Sequence, residues 1–130
     1  MLKYITADDY KELLGTESIP DNFDNLVIRA SAYINRKTYG RIDETSVEEE
    51  VKYATCLIVD LINEKVNLIN NIGSLKGENI EGWSVSYQNS SDIEVEYETK
   101  MYDVLQTYLW NIIGVDGNPL LFRGVELYEW

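Results

Sequence analysis

Val47, Val51, Ala54, Ile58, Leu61, Ile62, Val66 and Ile69 share one helix face, and so long a stripe dominates a chain of 130 residues. It predicts a core helix of roughly six turns at 3.6 residues each. A chain of this size supports one domain, residues 1–130, with one modest core. The start of the helix is marked by Ser46-Val-Glu-Glu49, the pattern of a capping box. Glu48, Glu49 and Glu50 then fill a first turn where the helix dipole favours negative charge. Three successive carboxylates also resemble metal donors. Neighbouring helical positions point about 100° apart, however, so they do not converge on one ion.

The other elements are shorter. Thr6-Ala-Asp-Asp9 predicts a cap for a helix through Leu14, with Tyr10, Leu13 and Leu14 on one side and Gly15 as its stop. Residues 16–21 read as a loop around Pro20. Phe23, Leu26, Val27, Ala30, Tyr33 and Ile34 predict a second helix from about Asn22 to Tyr39, closed by Gly40. Arg36, Lys37 and Arg41 gather at its end, where cations interact favourably with the dipole, a structural role preferred to a binding patch.

After a loop expected over residues 70–81, Trp83, Val85 and Tyr87 alternate with Ser84 and Ser86. That is the period of an extended strand with one apolar face. A turn is expected over residues 89–92. Ile93, Val95 and Tyr97 also alternate, while Tyr97, Met101, Val104, Leu105, Tyr108 and Ile112 follow a helical stripe. Two readings fit: a hairpin of 83–88 against 93–97 before a helix from about Glu98 to Ile113, or a helix starting near Asp92. The former is preferred, with Gly114 as the stop. Asp116-Gly-Asn-Pro119 reads as a turn, and Leu120–Val125 as extended. Tyr128 and Trp130 near the end point to docking, on this domain or on a partner. The expected fold is mainly α: a small bundle of about four helices, an extended arm or β-hairpin over about 73–97, and an extended tail over about 115–130.

Composition limits the chemistry. Hydrophobic residues make up 45% of the chain, enough for a folded core. With 23 acidic against 11 basic residues the formal net charge is −12, so binding nucleic acid by phosphate neutralisation is not expected. Ordinary acidic solubility is the bland reading of that charge. The chain contains no histidine, which removes the commonest general base and metal ligand. No phosphate-cradling glycine motif occurs. Asp43/Glu44 and Glu94/Glu96/Glu98 provide carboxylate pairs of the kind a glycosidase needs, but pairs are expected by chance in so acidic a chain. Cys56, the single cysteine, reads as a buried inert thiol. No catalytic residue, cofactor or metal site is expected, and the chain is not expected to be an enzyme. No apolar run approaches a membrane span, and MLKYITADDY lacks the form of a secretory signal, so the cytoplasm of the producing cell is the expected compartment.

Ser84-Val-Ser-Tyr87, Tyr108-Leu109, Gly114 and Leu121-Phe-Arg-Gly-Val125, following three N-terminal helices, resemble the head–tail connector proteins of tailed bacteriophages. These are also known as head completion or adaptor proteins. The chain departs from the family pattern at Gly82-Trp83, where a Gly-Asp-type pair is common, and in a longer VDGNP segment before LLFRG. The resemblance implies a structural virion protein at the head–tail interface, assembled in the bacterial host cytoplasm. It would form a ring of roughly twelve-fold symmetry beneath the portal protein, extend the DNA channel and support a stopper or tail-completion protein. Trp83, Ser84, Val85, Ser86 and Tyr87 would then contact neighbouring subunits. Leu121, Phe122, Arg123, Gly124, Val125, Tyr128 and Trp130 would form the portal-docking tail. Double-stranded DNA would pass through an acidic lumen without specific binding, and no membrane is involved. A collar or terminator subunit of a headless tail-like particle is a variant of this reading. An acidic DNA-mimic inhibitor is the alternative from a different class, but it requires carboxylates arrayed along one face, and here they are scattered.

Overall fold

The computed structural model describes residues 1–75 and 90–123. They form four helices, α1 (Ala7–Leu14), α2 (Phe23–Lys37), α3 (Glu49–Leu75) and α4 (Ser90–Leu109), in a mainly helical bundle. Among the described residues there is no strand, only an isolated antiparallel bridge between Ile113 and Pro119. The arm residues Trp83, Ser84, Val85, Ser86 and Tyr87 lie outside the described residues, as do Gly124, Val125, Tyr128 and Trp130.

The α1 boundaries follow from local chemistry. The Thr6 hydroxyl accepts from the Asp9 N–H at 3.2 Å, and the Asp9 carboxylate accepts from the Thr6 N–H at 3.0 Å. Gly15 closes the helix at φ 66, in the left-handed region. Tyr10 leaves α1 toward the core, sets its ring edge-on against Phe23 at 5.2 Å and donates its hydroxyl to Asp60 of α3 at 2.6 Å. Burial, and then this carboxylate, push the Tyr10 phenol above its ordinary range.

In α2 every apolar position of the expected stripe is buried, and Ser31 is buried with them. The Ser31 hydroxyl accepts the Tyr4 N–H at 3.0 Å, which ties the N-terminal segment down. The helix stops at Lys37, two residues short of expectation. The Thr38 hydroxyl donates to the Ile34 carbonyl at 2.8 Å, and the chain then turns left-handed at Tyr39 (φ 57) and Gly40 (φ 69).

The other three helices pack on α3. Ala54, Thr55, Cys56, Ile58 and Val59 are all buried, the all-round burial of a helix covered on several sides. Each buried Ile or Val contributes roughly 1.5–3 kcal/mol of hydrophobic stabilisation. The start of α3 differs from expectation, because Ser46 lies in a turn organised by Asp43. The Asp43 carboxylate accepts from the Thr45 N–H at 2.9 Å and its hydroxyl at 2.7 Å, and its carbonyl from the Ser46 N–H at 3.2 Å. The Glu48 carbonyl instead accepts the Lys52 N–H at 3.0 Å, at the N-cap position. The expected loop after Ile69 is also helical as far as Leu75. Asn and Gly each disfavour a helix interior by about 1 kcal/mol or less, too little to end a helix already anchored by a long packed stripe.

The preferred hairpin over 93–97 is overturned, since these residues belong to α4. Ile93 and Tyr97 are buried four residues apart and continue through Met101, Leu105 and Leu109, whereas Val95 is exposed. Helical spacing therefore accounts for all of these burials and the alternation for only part of them. The expected turn at 89–92 likewise becomes the first turn of α4 from Ser90 onward. Lys65 pairs with Glu94 at 3.1 Å, and Tyr53 meets Tyr108 edge-on at 5.1 Å. The late part of α3 thus lies beside the early part of α4, an antiparallel pair. Glu98 links α4 to α2, accepting from the Tyr33 hydroxyl at 3.3 Å and facing the Lys37 ammonium at 3.2 Å.

Candidate functional site

One end of the bundle gathers the end of α2, the start of α3 and the segment after α4. The left-handed pair Tyr39–Gly40 reverses the chain so that Arg41 faces residues 114–122. The Arg41 carbonyl accepts the Val115 N–H at 2.9 Å. Its Nε donates to Asp116 Oδ2 at 2.8 Å. Nη1 lies within hydrogen-bond distance of three carbonyls, those of Pro119 (3.0 Å), Leu120 (3.2 Å) and Phe122 (2.5 Å). The guanidinium also lies over two rings, 4.9 Å from the centre of Tyr39 and 5.7 Å from that of Phe122. Only 12% of the Arg41 side chain is exposed. The planar fork of arginine matches such a cluster of acceptors in a way that lysine does not.

The clamped segment has its own bonds. Leu120 N–H donates to the Ile112 carbonyl and Gly114 N–H to the Asn118 carbonyl, both at 2.8 Å. These bonds form a two-rung hairpin whose base, Ile112 and Leu120, is buried in the core. They replace the helical bonds expected up to Ile113, so α4 stops at Leu109. Asp116 accepts from the Asn118 N–H at 3.0 Å, and that bond, aided by Arg41, holds its carboxyl below the usual range. A Cβ at Gly114 would stand 2.5 Å from Arg41 Cβ and 2.9 Å from the Arg41 carbonyl oxygen, so the close approach requires glycine.

Three residues of the expected docking tail are described, and the expected extended segment begins with a turn at Leu120 and Leu121. The Phe122 N–H donates to the Pro119 carbonyl at 3.0 Å, closing a turn over Leu120 and Leu121. Leu121 packs half-buried against the core, Phe122 is half-buried under Arg41, and Arg123 is exposed. Of the three cations grouped at the end of α2, Lys37 lies 5.6 Å from the Tyr33 and Tyr102 rings and Arg36 lies 5.7 Å from Tyr33, while Arg41 is the clamp.

The surface of this end is unusually apolar. Seven large hydrophobic side chains are exposed among the described residues, and four of them are here: Tyr39 (53%), Trp110 (67%), Ile113 (56%) and Val115 (68%). Ile113 and Val115 line a groove of about 140 Å³ together with Asp43 and Glu48. Trp110, Ile113 and Val115 escape sequence reading because their exposure depends on where α4 stops, and Tyr39 because the chain turns left-handed there after α2. The one available signal is that Trp110 and Ile113 fall off the α4 stripe. Arg41 could be read only as a cation near a helix end, since its partners lie 75–81 residues away.

Elsewhere among the described residues, three carboxylates of α4 meet lysines of the same chain. Glu94, Glu96 and Glu98 face Lys65, Lys100 and Lys37 respectively. Cys56 is buried, and burial, with the charges of Asp60 and Asp9, pushes its thiol up to about 12. No group of three or more His, Cys, Asp or Glu among the described residues is placed to hold an ion. No helix of the described residues is long and apolar enough to cross a membrane. What the Arg41 end offers chemically is a braced apolar surface that contact with another molecule can bury. Comparison with protein-family models, with curated proteins and with solved structures finds no match to this chain.

Proposed function

We propose that this chain is the ring-forming adaptor between the portal vertex of a tailed bacteriophage and its tail or stopper, extending the DNA channel. The observation that carries the reading is the concentration of exposed apolar side chains at the Arg41 end, beside Leu121, Phe122 and Arg123. A protein that acts by assembly needs such a surface, and large exposed apolar patches mark sites of association. The sequence resemblance supplies the partners: further copies of the chain, the portal protein and a stopper or tail-completion protein. The role is mechanical and uses no cofactor. The net charge of −12 fits it, because a ring multiplies that charge and a negative lumen lets DNA slide without adhering.

Electron microscopy of the purified chain, alone and mixed with portal rings, tests the reading. Closed rings, or added density beneath the portal, are expected. Removal of residues 121–130 is expected to abolish attachment while leaving helix content intact, and attachment that survives the deletion overturns the assignment of the tail. A lumen lined mainly by basic side chains refutes the sliding surface.

A further inference from the structure

We infer that Arg41 is the positioning residue of this docking end: it holds residues 114–122 in one preformed arrangement. The inference deepens the adaptor reading and rests on it for the identity of the partner. Two observations carry it from opposite sides of one contact. The guanidinium reaches Asp116 and the carbonyls of Pro119, Leu120 and Phe122, spanning the whole turn from one point. The Arg41 backbone, in turn, receives Val115 N–H and sits against Gly114 so closely that no side chain fits there. Ile113 and Val115, two of the exposed apolar residues, flank that glycine, so the contact that fixes Gly114 also fixes them. The Arg41 side chain is largely covered, so it acts through the segment it holds.

Two other grooves among the described residues do not offer a comparable device. The groove near Tyr10, Ser18 and Asp60 is open and its central carboxylate already accepts the Tyr10 hydroxyl. The groove between Lys37 and Arg123 carries matched charges, with Glu98 and Asp103 on its walls.

The test uses the full chain with Arg41→Gln, Arg41→Lys and Gly114→Ala. Two quantities are read: amide hydrogen exchange along the chain, and retention on purified portal rings. In Arg41→Gln and Gly114→Ala, exchange at Gly114, Val115, Leu120 and Phe122 is expected to quicken by about tenfold or more while the α2 and α3 amides hold their rates. Retention is expected to fall by about tenfold in both, with Arg41→Lys intermediate, because an ammonium keeps the charge and loses the fork. Gly114→Ala is the discriminating variant, since it leaves the arginine in place. If Gly114→Ala binds portal rings normally while Arg41→Gln does not, Arg41 contacts the partner directly and the inference is wrong. It is also overturned if all amides quicken together, if none do, or if the segment loosens without loss of retention. If the unaltered chain does not bind portal rings, the adaptor reading fails, and the exchange pattern alone then decides whether Arg41 positions the segment.

Discussion

The interior around α3 and the end around Arg41 are held together by different physics. Around α3, apolar side chains at Val51, Ala54, Ile58, Val59 and Ile62 are removed from water on several sides at once. Stabilisation there is non-directional, shared among many contacts and insensitive to any one polar atom. At the Arg41 end, one cation lies within hydrogen-bond distance of three backbone carbonyls and one carboxylate, and one glycine allows the approach. Hydrogen bonds of that kind are directional, so a small displacement weakens several together. The bundle tolerates variation in its surface, whereas the clamp depends on two residues. A docking surface gains from the second kind of construction, because it is built once and then presented in fixed geometry.

Substitutions can separate the two regions. Ile58→Ala is expected to have the largest effect, a loss of about 2–5 kcal/mol from a buried cavity. Thermal unfolding should shift downward as a single transition, with protection lost throughout the chain. A local loss confined to α3 would show that the interior is not one cooperative unit. Arg41→Gln is expected to cost about 2 kcal/mol, the range for hydrogen bonds made by a charged group. Its loss should concentrate at residues 114–122, read by exchange or by proteolysis of the segment. Thr6→Ala removes the α1 cap and should cost about 1 kcal/mol, without touching the clamp amides. If it loosens Val115 or Leu120, the two regions are coupled more tightly than the geometry indicates.

The smallest effect is on pH. The folded-state carboxyl of Asp116 is held below its ordinary 3.8, so its contribution is fully present above that value and is lost as pH falls through the lower folded value. Acidification below about 3.8 should therefore loosen the Asp116–Asn118 turn, followed by the amide shift of Asn118. Asp116→Asn should flatten that dependence, and a dependence that persists in the variant would assign the effect to another carboxyl.

The legible parts of the fold are those encoded within one or two helical turns. Thr6 and Asp9 stand three residues apart and set the start of α1, and the α2 stripe was readable because its burial repeats every turn. Ser46 misled because Asp43, three residues earlier, organises a turn that uses the same stretch of chain. Residues 93–97 misled because five residues are too few to separate a period of two from one of 3.6. The burial of Met101 and Leu105 further along resolves them. Of the expected docking residues, Leu121, Phe122 and Arg123 fall at the Arg41 end, but neither the clamp nor the exposed Trp110, Ile113 and Val115 was legible. A contact between Arg41 and Phe122 joins positions 81 apart, and no local pattern announces it.

That separation also bears on time. The Arg41 bonds can form only after α3 and α4 have paired and brought residues 116–122 back beside the end of α2. Contacts of such long sequence separation carry the largest loop-closure cost and belong to the late side of the folding barrier. Arg41→Gln is accordingly expected to leave the refolding rate nearly unchanged, its loss appearing as faster local opening of residues 114–122. Stopped-flow measurement of both limbs against denaturant checks this, and slower refolding would place the clamp in the nucleus instead.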